Sequence, residues 1–114
     1  MSNAVFQKQP NEVRSVDVNF DRWARGANDN DYVTSATVSI TSGNTGGPGD
    51  LVLGPGALPD FTILPGLESG IAAQRVKVWV GAGATGVRYK VTLVATMHSG
   101  NVLETDFTIA VRDR

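Results

Sequence analysis

The chain has 114 residues, the length of one domain, and its 41% hydrophobic and 18% charged residues are typical of a folded globule. A net charge of −1 with scattered lysines and arginines argues against nucleic-acid and anionic-membrane surfaces, because both need clustered cations. Cysteine is absent, which excludes a disulfide framework and thiolate metal sites.

The first 13 residues are polar apart from Phe6, and Pro10 disfavours a helix there. We expect either a frayed terminus or an arm that packs on a neighbouring protein, with Phe6 as its anchor. The folded domain is then expected over residues 14–114. Neither a membrane-spanning run nor a signal pattern is apparent, so we expect a protein that is made in the cytoplasm and stays soluble or joins an assembly.

Two strands are predicted in the first third of the domain. Val16, Val18 and Phe20 alternate with polar residues, which predicts a strand ending near Trp23. An Asn- and Asp-rich turn follows. The second strand is expected over residues 32–40, with serines and threonines on its outer surface.

Residues 42–70 differ in kind, because they hold eight of the thirteen glycines and four of the five prolines. Proline excludes the short apolar pieces in this segment from central strands, so they are either short edge strands or parts of an ordered loop. Their side chains, Leu51, Leu53 and Phe61 among them, must be buried in this domain or in a partner.

Residues 76–80 predict another strand, in which three valines alternate with Lys77 and Trp79. The glycines that follow, Gly81, Gly83 and Gly86, match the spacing of a dinucleotide fingerprint. That fingerprint requires a helix after the glycines, whereas a strand follows here, so a tight turn is expected.

Residues 87–97 and 103–111 form two long alternating runs joined through Ser99-Gly100-Asn101, which predicts a hairpin with one buried face. Tyr89 lies where immunoglobulin-like sandwiches place a tyrosine corner, whose hydroxyl bonds backbone a few residues upstream. No segment has a helical period. We therefore predict an all-β fold, a single immunoglobulin-like antiparallel β-sandwich of about seven strands.

Chemical sites are weakly indicated. Residues 28–31 supply oxygen ligands suited to calcium, but an Asn- and Asp-rich turn has the same composition. His98 and the adjacent Ser99 point to opposite faces of a strand, and Glu104 and Asp106 lie on an exposed face. We expect no catalytic residues, cofactor or metal, and no enzymatic activity.

The two tryptophans have two interpretations. Flat aromatic rings stack on sugars, which would make Trp23 or Trp79 part of a carbohydrate-binding surface. Alternatively, one tryptophan covers the core and the other lies in a subunit contact, since aromatic residues are enriched at interfaces.

Several motifs resemble those of small virion proteins of tailed bacteriophages, the immunoglobulin-like fiber-tail adaptor family. The matching stretches are Phe6-x-Lys8-x-Pro10, Val16-Asp17-Val18-x-Phe20-x-x-Trp23, Thr34-Ser35-Ala36-Thr37, Val76-x-Val78-Trp79-Val80-Gly81-x-Gly83-x-x-Gly86-x-x-Tyr89-x-Val91-Thr92, Thr96-x-x-Ser99-Gly100 and Glu104-x-x-Phe107-Thr108-Ile109-x-Val111. Residues 41–75 depart from the family, because they are longer and richer in glycine and proline.

The resemblance implies a virion structural protein that joins tail fibers to the tail or portal-proximal machinery, in several copies on a symmetric ring. A capsid decoration protein and, from another class, a carbohydrate-binding module are the alternatives. No nucleic acid or membrane partner is expected. The residues expected to contact a partner are Phe6, Pro10, Leu51, Leu53, Phe61 and Trp79.

Overall fold

The computed structural model describes residues 4–20, 32–47, 49–64 and 75–112, which contain eight strands and no helix. In chain order the strands are β1 (Ala4–Lys8), β2 (Arg14–Asn19), β3 (Val33–Ser42), β4 (Leu51–Leu53), β5 (Phe61–Leu64), β6 (Arg75–Ala82), β7 (Arg88–Met97) and β8 (Val102–Val111).

The strands form two sheets. Sheet I has the order β1-β8-β7-β3, and in sheet II β6 lies between β2 and the two short strands β4 and β5. All pairs are antiparallel except β1 with β8. The predicted all-β sandwich is confirmed, with eight strands instead of about seven.

The hairpin of β7 and β8 supplies half of the core. Every second residue of each strand faces sheet II, because successive side chains of a strand point to opposite faces. The predicted phase is confirmed by Phe107, which is 3% exposed, and by the other buried positions of this face, Tyr89, Val91, Leu93, Ala95, Met97, Ile109 and Val111. From the opposite sheet, the core receives Val16, Val76, Val78 and Val80.

The predicted tyrosine corner is confirmed. The Tyr89 hydroxyl accepts a hydrogen bond from the backbone N–H of Ala84 at 2.8 Å. This contact lies in the glycine-containing turn that carries the chain from β6 in sheet II to β7 in sheet I. Gly83 has a φ of 99°, and a Cβ there would lie 2.8 Å from a Val111 methyl group, so the turn requires glycine at this position.

The N-terminal segment differs from the expectation of a frayed terminus or a projecting arm. Residues 4–8 form β1 at one edge of sheet I, with Phe6 opposite Ile109 and Lys8 opposite Val111. The segment looks polar in sequence, but its inward-facing positions are Phe6 and Lys8. Its order therefore depends on pairing with β8, which lies about a hundred residues away in the chain.

The Gly- and Pro-rich segment contains two short edge strands and ordered turns, so both features of its prediction are present. β4 and β5 pair with β6 at the edge of sheet II. Before β4, the Asn44 side chain exchanges two hydrogen bonds with the Leu51 backbone. The Asp50 carboxylate accepts the backbone N–H groups of Thr45 and Gly46, which closes the turn between β3 and β4.

Candidate partner-binding surfaces

Phe6, the expected anchor of the N-terminal segment, packs inside the chain's own sandwich. Its ring meets the Phe107 ring edge-on, with centroids 5.9 Å apart and planes at 87°. The Arg14 guanidinium lies 5.9 Å from the Phe6 ring centroid. Phe6 is half-buried, so only part of its ring is open to a partner.

Pro10 contributes a backbone oxygen to a buried lysine that sequence reasoning missed. Lys8 is 1% exposed, and its ammonium donates hydrogen bonds to the carbonyl oxygens of Gln9 at 2.7 Å, Pro10 at 3.3 Å and Ala82. Burial lowers the pKa of Lys8 from its usual 10.5, and the nearby Glu12 charge partly opposes this. In the sequence, only the alternation with Phe6 indicated that Lys8 points inward. This signal was missed because charged residues such as lysine are rarely buried.

The three apolar residues of the Gly- and Pro-rich segment face the chain's own core. Leu51 is 2% exposed, and Leu53 and Phe61 are half-buried against the same cluster. They hold β4 and β5 in sheet II, because their cross-strand partners on β6 include the buried Val78 and Val80. These three side chains therefore contribute to the chain's own core.

That turn interrupts what is otherwise one strand running along β6. Leu53 pairs with Val80, but Phe61 pairs with Val78. If the β4 register continued, Pro55 would lie opposite Val78. Phe61 lies there instead, so the register shifts by six residues. We call these six inserted residues, 55–60, the excursion.

The excursion begins and ends at the backbone of Trp79. The Gly54 N–H donates to the Trp79 carbonyl oxygen at 3.0 Å, and the Trp79 N–H donates to the Asp60 carbonyl oxygen at 3.1 Å. Pro55 lies over Gly81, where an added Cβ would approach the proline ring to 2.7 Å. Because both backbone groups of Trp79 are bonded, the insertion leaves the pairing of β6 intact.

Exposed apolar side chains occur in the segments that flank Trp79 in sheet II. Val52, 44% exposed, pairs with Gly81, and Leu58, 37% exposed, belongs to the excursion. Val13, 54% exposed, directly precedes β2, the strand on the other side of β6. We call Trp79, Val13, Val52 and Leu58 the Trp79 face.

Charged side chains border the Trp79 face at its other end. The Lys77 ammonium lies 5.5 Å from the centroid of the Trp79 ring, within the range of a cation–π contact. The Asp17 carboxylate lies 3.9 Å from Lys77 and accepts a hydrogen bond from Arg75 at 3.2 Å. An apolar surface with a polar border is the usual composition of a protein interface.

Hydroxyl groups cover much of the outer side of sheet I. The Thr41 and Thr92 hydroxyls are 3.0 Å apart, and Thr92 donates to the Asp106 carboxylate at 2.8 Å. The Thr92 bond and the Lys90 ammonium, at 3.3 Å, hold the pKa of Asp106 below its usual value. We call the outer residues of β3, β7 and β8 the hydroxyl face. It includes Thr41, Thr92, Lys90 and Asp106.

The residues weighed for catalysis or metal binding are not brought together. His98 is exposed beside the hairpin turn, and its ring stacks on Tyr32 with centroids 4.7 Å apart. No group of three or more potential ligands occurs within the described ranges. The possible calcium site at 28–31 and Trp23 lie outside them.

Comparisons with known proteins are consistent with this geometry. In the part of the chain that the structure describes, no helix is long and apolar enough to cross a membrane. No curated protein matches the sequence. Residues 8–110, well over half of the chain, match the family described as Podophage GP4 fiber-tail adaptor protein gp77. The resemblance to fiber-tail adaptors is confirmed, and the chain belongs to this family of structural phage proteins.

Proposed function

We propose that this protein is a non-enzymatic component of the phage particle that joins tail fibers to the tail or to the portal-proximal machinery. The observation that carries the proposal is the family match over residues 8–110, which includes β2 to β7 and most of β8. The family is one of structural adaptors, and this supports a role in binding rather than in catalysis.

The arrangement of the sandwich also supports an adaptor role. Two packed sheets turn their outer sides away from each other, about 10 Å of core lying between them. The Trp79 face and the hydroxyl face therefore point in opposite directions, so two proteins could be bound at once without competing. We propose that each face contacts a different virion protein.

The expected partner-binding residues divide into two groups under this proposal. Trp79 lies on a proposed contact face, and Phe6 and Pro10 lie at β1, where a partner can reach part of each. The second group packs in the core and holds β4 and β5 in place on either side of the excursion. Its members are Leu51, Leu53 and Phe61. Several copies on a symmetric ring are expected, because such a subunit follows the symmetry of its neighbours.

Cryo-electron microscopy of purified particles, with symmetry relaxed at the tail, tests this function. Density for this chain at the junction of tail and fiber is the expected result, and it would show which face each partner covers. Density spread across the capsid lattice would overturn the adaptor role in favour of a decoration protein. Absence of the chain from particles would overturn both, and glycan-binding screens would then test the carbohydrate alternative.

A further inference from the structure

Sheet edges differ sharply in how well they are protected against pairing with another chain. Proteins block exposed edges with short strands, charges, prolines or interruptions. β1 is only five residues long, and the edge strand β2 carries Arg14 and Asp17. The β4–β5 edge is broken by the excursion, which contains Pro55 and Pro59.

β3 lacks the charges, the prolines and the short length that protect the other edges. This strand, Val33–Ser42, has ten residues without a charge or a proline. Within the described ranges it pairs with β7 alone and forms the edge of sheet I. Shifts of register occur near both ends of the strand, whereas the stretch from Ser35 to Ile40 is regular. As far as the described part of the chain goes, β3 thus offers six residues of straight strand with unpaired backbone groups on one side.

The side chains of this straight stretch alternate strictly. The outer positions are hydroxyl residues, Ser35, Thr37 and Ser39. The inner positions, Ala36, Val38 and Ile40, pack against the core but are only half-buried. A strand paired to the free side of β3 would bury these three residues further.

We propose that this strand is β3 of a second copy of the chain, paired antiparallel across a twofold axis. An axis through Thr37 places Ser35 opposite Ser39 of the second copy, and Ala36 opposite Val38. An axis through Val38 instead places Thr37 opposite Ser39. Either axis brings hydroxyl groups together on the outer side and apolar groups together on the inner side, the pairs that stabilise sheets.

Charge also favours a second copy as the occupant. A charged residue near a twofold axis faces its own copy, and like charges opposite each other are destabilising. β3 has no charged residue, so the self-pair carries no such penalty. The two four-stranded sheets then form one continuous sheet of eight strands. This dimer does not rest on the proposed adaptor role, because it can be measured on the isolated chain.

Sedimentation of the purified chain over a concentration series tests the dimer. We expect a species of twice the 12.0 kDa monomer mass in the wild type. Thr37→Lys places two ammonium groups at the axis or one residue from it, and should weaken dimerisation at least tenfold. Val102→Lys adds the same charge to an exposed position of the same sheet, two strands away, and should leave the dimer intact. A wild type that stays monomeric at 0.1 mM, or a dimer unaffected by Thr37→Lys, overturns the proposal.

A cross-linking measurement remains informative even if Thr37→Lys fails to fold. The chain has no cysteine, so a single introduced cysteine has only its own copy to pair with. Thr37→Cys or Val38→Cys, whichever lies on the axis, should form an oxidised dimer, because directly opposed residues are within disulfide reach. Val102→Cys should stay monomeric. Equal cross-linking at Val102, or none at either β3 position, contradicts the proposed interface.

Discussion

The Lys8 ammonium in sheet I donates a hydrogen bond to the Ala82 carbonyl oxygen at the end of sheet II. The same ammonium binds the carbonyl oxygens of Gln9 and Pro10. A charged group loses hydration when it is buried, and hydrogen bonds to three carbonyl oxygens partly offset that cost. One side chain thus joins β1 to β6 across the core.

Replacing this lysine should destabilise the sandwich. Lys8→Met keeps a long apolar side chain but removes the ammonium donor from three carbonyl oxygens, of which that of Gln9 keeps the Glu12 N–H. We expect a loss of about 1–3 kcal/mol in the free energy of unfolding. Urea unfolding followed by circular dichroism measures it. Lys90→Met is the control, because Lys90 is largely exposed and its ion pair with Asp106 should contribute less than about 1 kcal/mol. Equal losses in the two variants would contradict a special role for Lys8.

Phe107 tests the packing of the β8 inner face. Its side chain is 3% exposed and contacts Phe6, so Phe107→Ala leaves a large cavity. We expect a loss of about 3–5 kcal/mol in unfolding free energy. Val102→Ala, on an exposed position of the same strand, should change it by less than about 0.5 kcal/mol. A loss below about 1 kcal/mol at Phe107 would be incompatible with the observed burial.

The excursion should be removable without loss of the fold. Deleting residues 55–60 brings β4 and β5 into one register on β6, with Gly54 opposite Trp79. We expect cooperative unfolding with a stability within about 1 kcal/mol of wild type, because a short turn is exchanged for regular pairing. In complementation experiments this variant should no longer be incorporated into particles, since Leu58 is removed from the Trp79 face.

A deletion one residue shorter is the matched control. Removing residues 55–59 turns the β5 side chains to the opposite face, because side chains in a strand have a period of two. Phe61 and Ile63 would then lie outside the core, and we expect a much larger loss of stability. If both deletions unfold the chain equally, the excursion is part of the fold and not an insertion into a strand. If the variant with the six-residue deletion is incorporated normally, the excursion is not part of the proposed contact.

Asp50 predicts a dependence of stability on pH. The backbone N–H of Thr45, followed by that of Gly46, holds the pKa of this carboxyl below its usual 3.8. Because the pKa is lower in the folded chain, the stabilisation is complete above pH 3.8 and is lost as pH falls through the folded value. The difference in unfolding free energy between wild type and Asp50→Asn should therefore be constant from pH 5 to 8 and shrink in acid. Carboxyl NMR titration checks the sign, and a pKa at or above 3.8 would contradict it.

Local alternation made much of sheet I predictable. In β7, Tyr89, Val91 and Leu93 alternate with polar or exposed positions, and this pattern alone indicated their burial. The Tyr89 hydroxyl bond was predictable as well, because a tyrosine corner depends on residues close in sequence. The family match confirms the resemblance that was evident in these same strands.

The surfaces were less predictable. Trp79 was expected at a partner contact from its phase in β6, but the exposed Leu58 of the excursion was not identified. The excursion is visible only when the pairings of β4 and β5 with β6 are compared. Glycine and proline in residues 55–60 indicate a turn without indicating which strand it interrupts.

The sequence by itself determined the fold class, the buried phase of β7 and β8, the tyrosine corner and the family, because each depends on local periodicity or on short motifs. Only the tertiary structure decided that residues 4–8 complete sheet I, that Lys8 is buried and that β3 is an edge. These features depend on which strands become neighbours. Pairing between distant strands is set by the packing of the whole core, which no local pattern encodes.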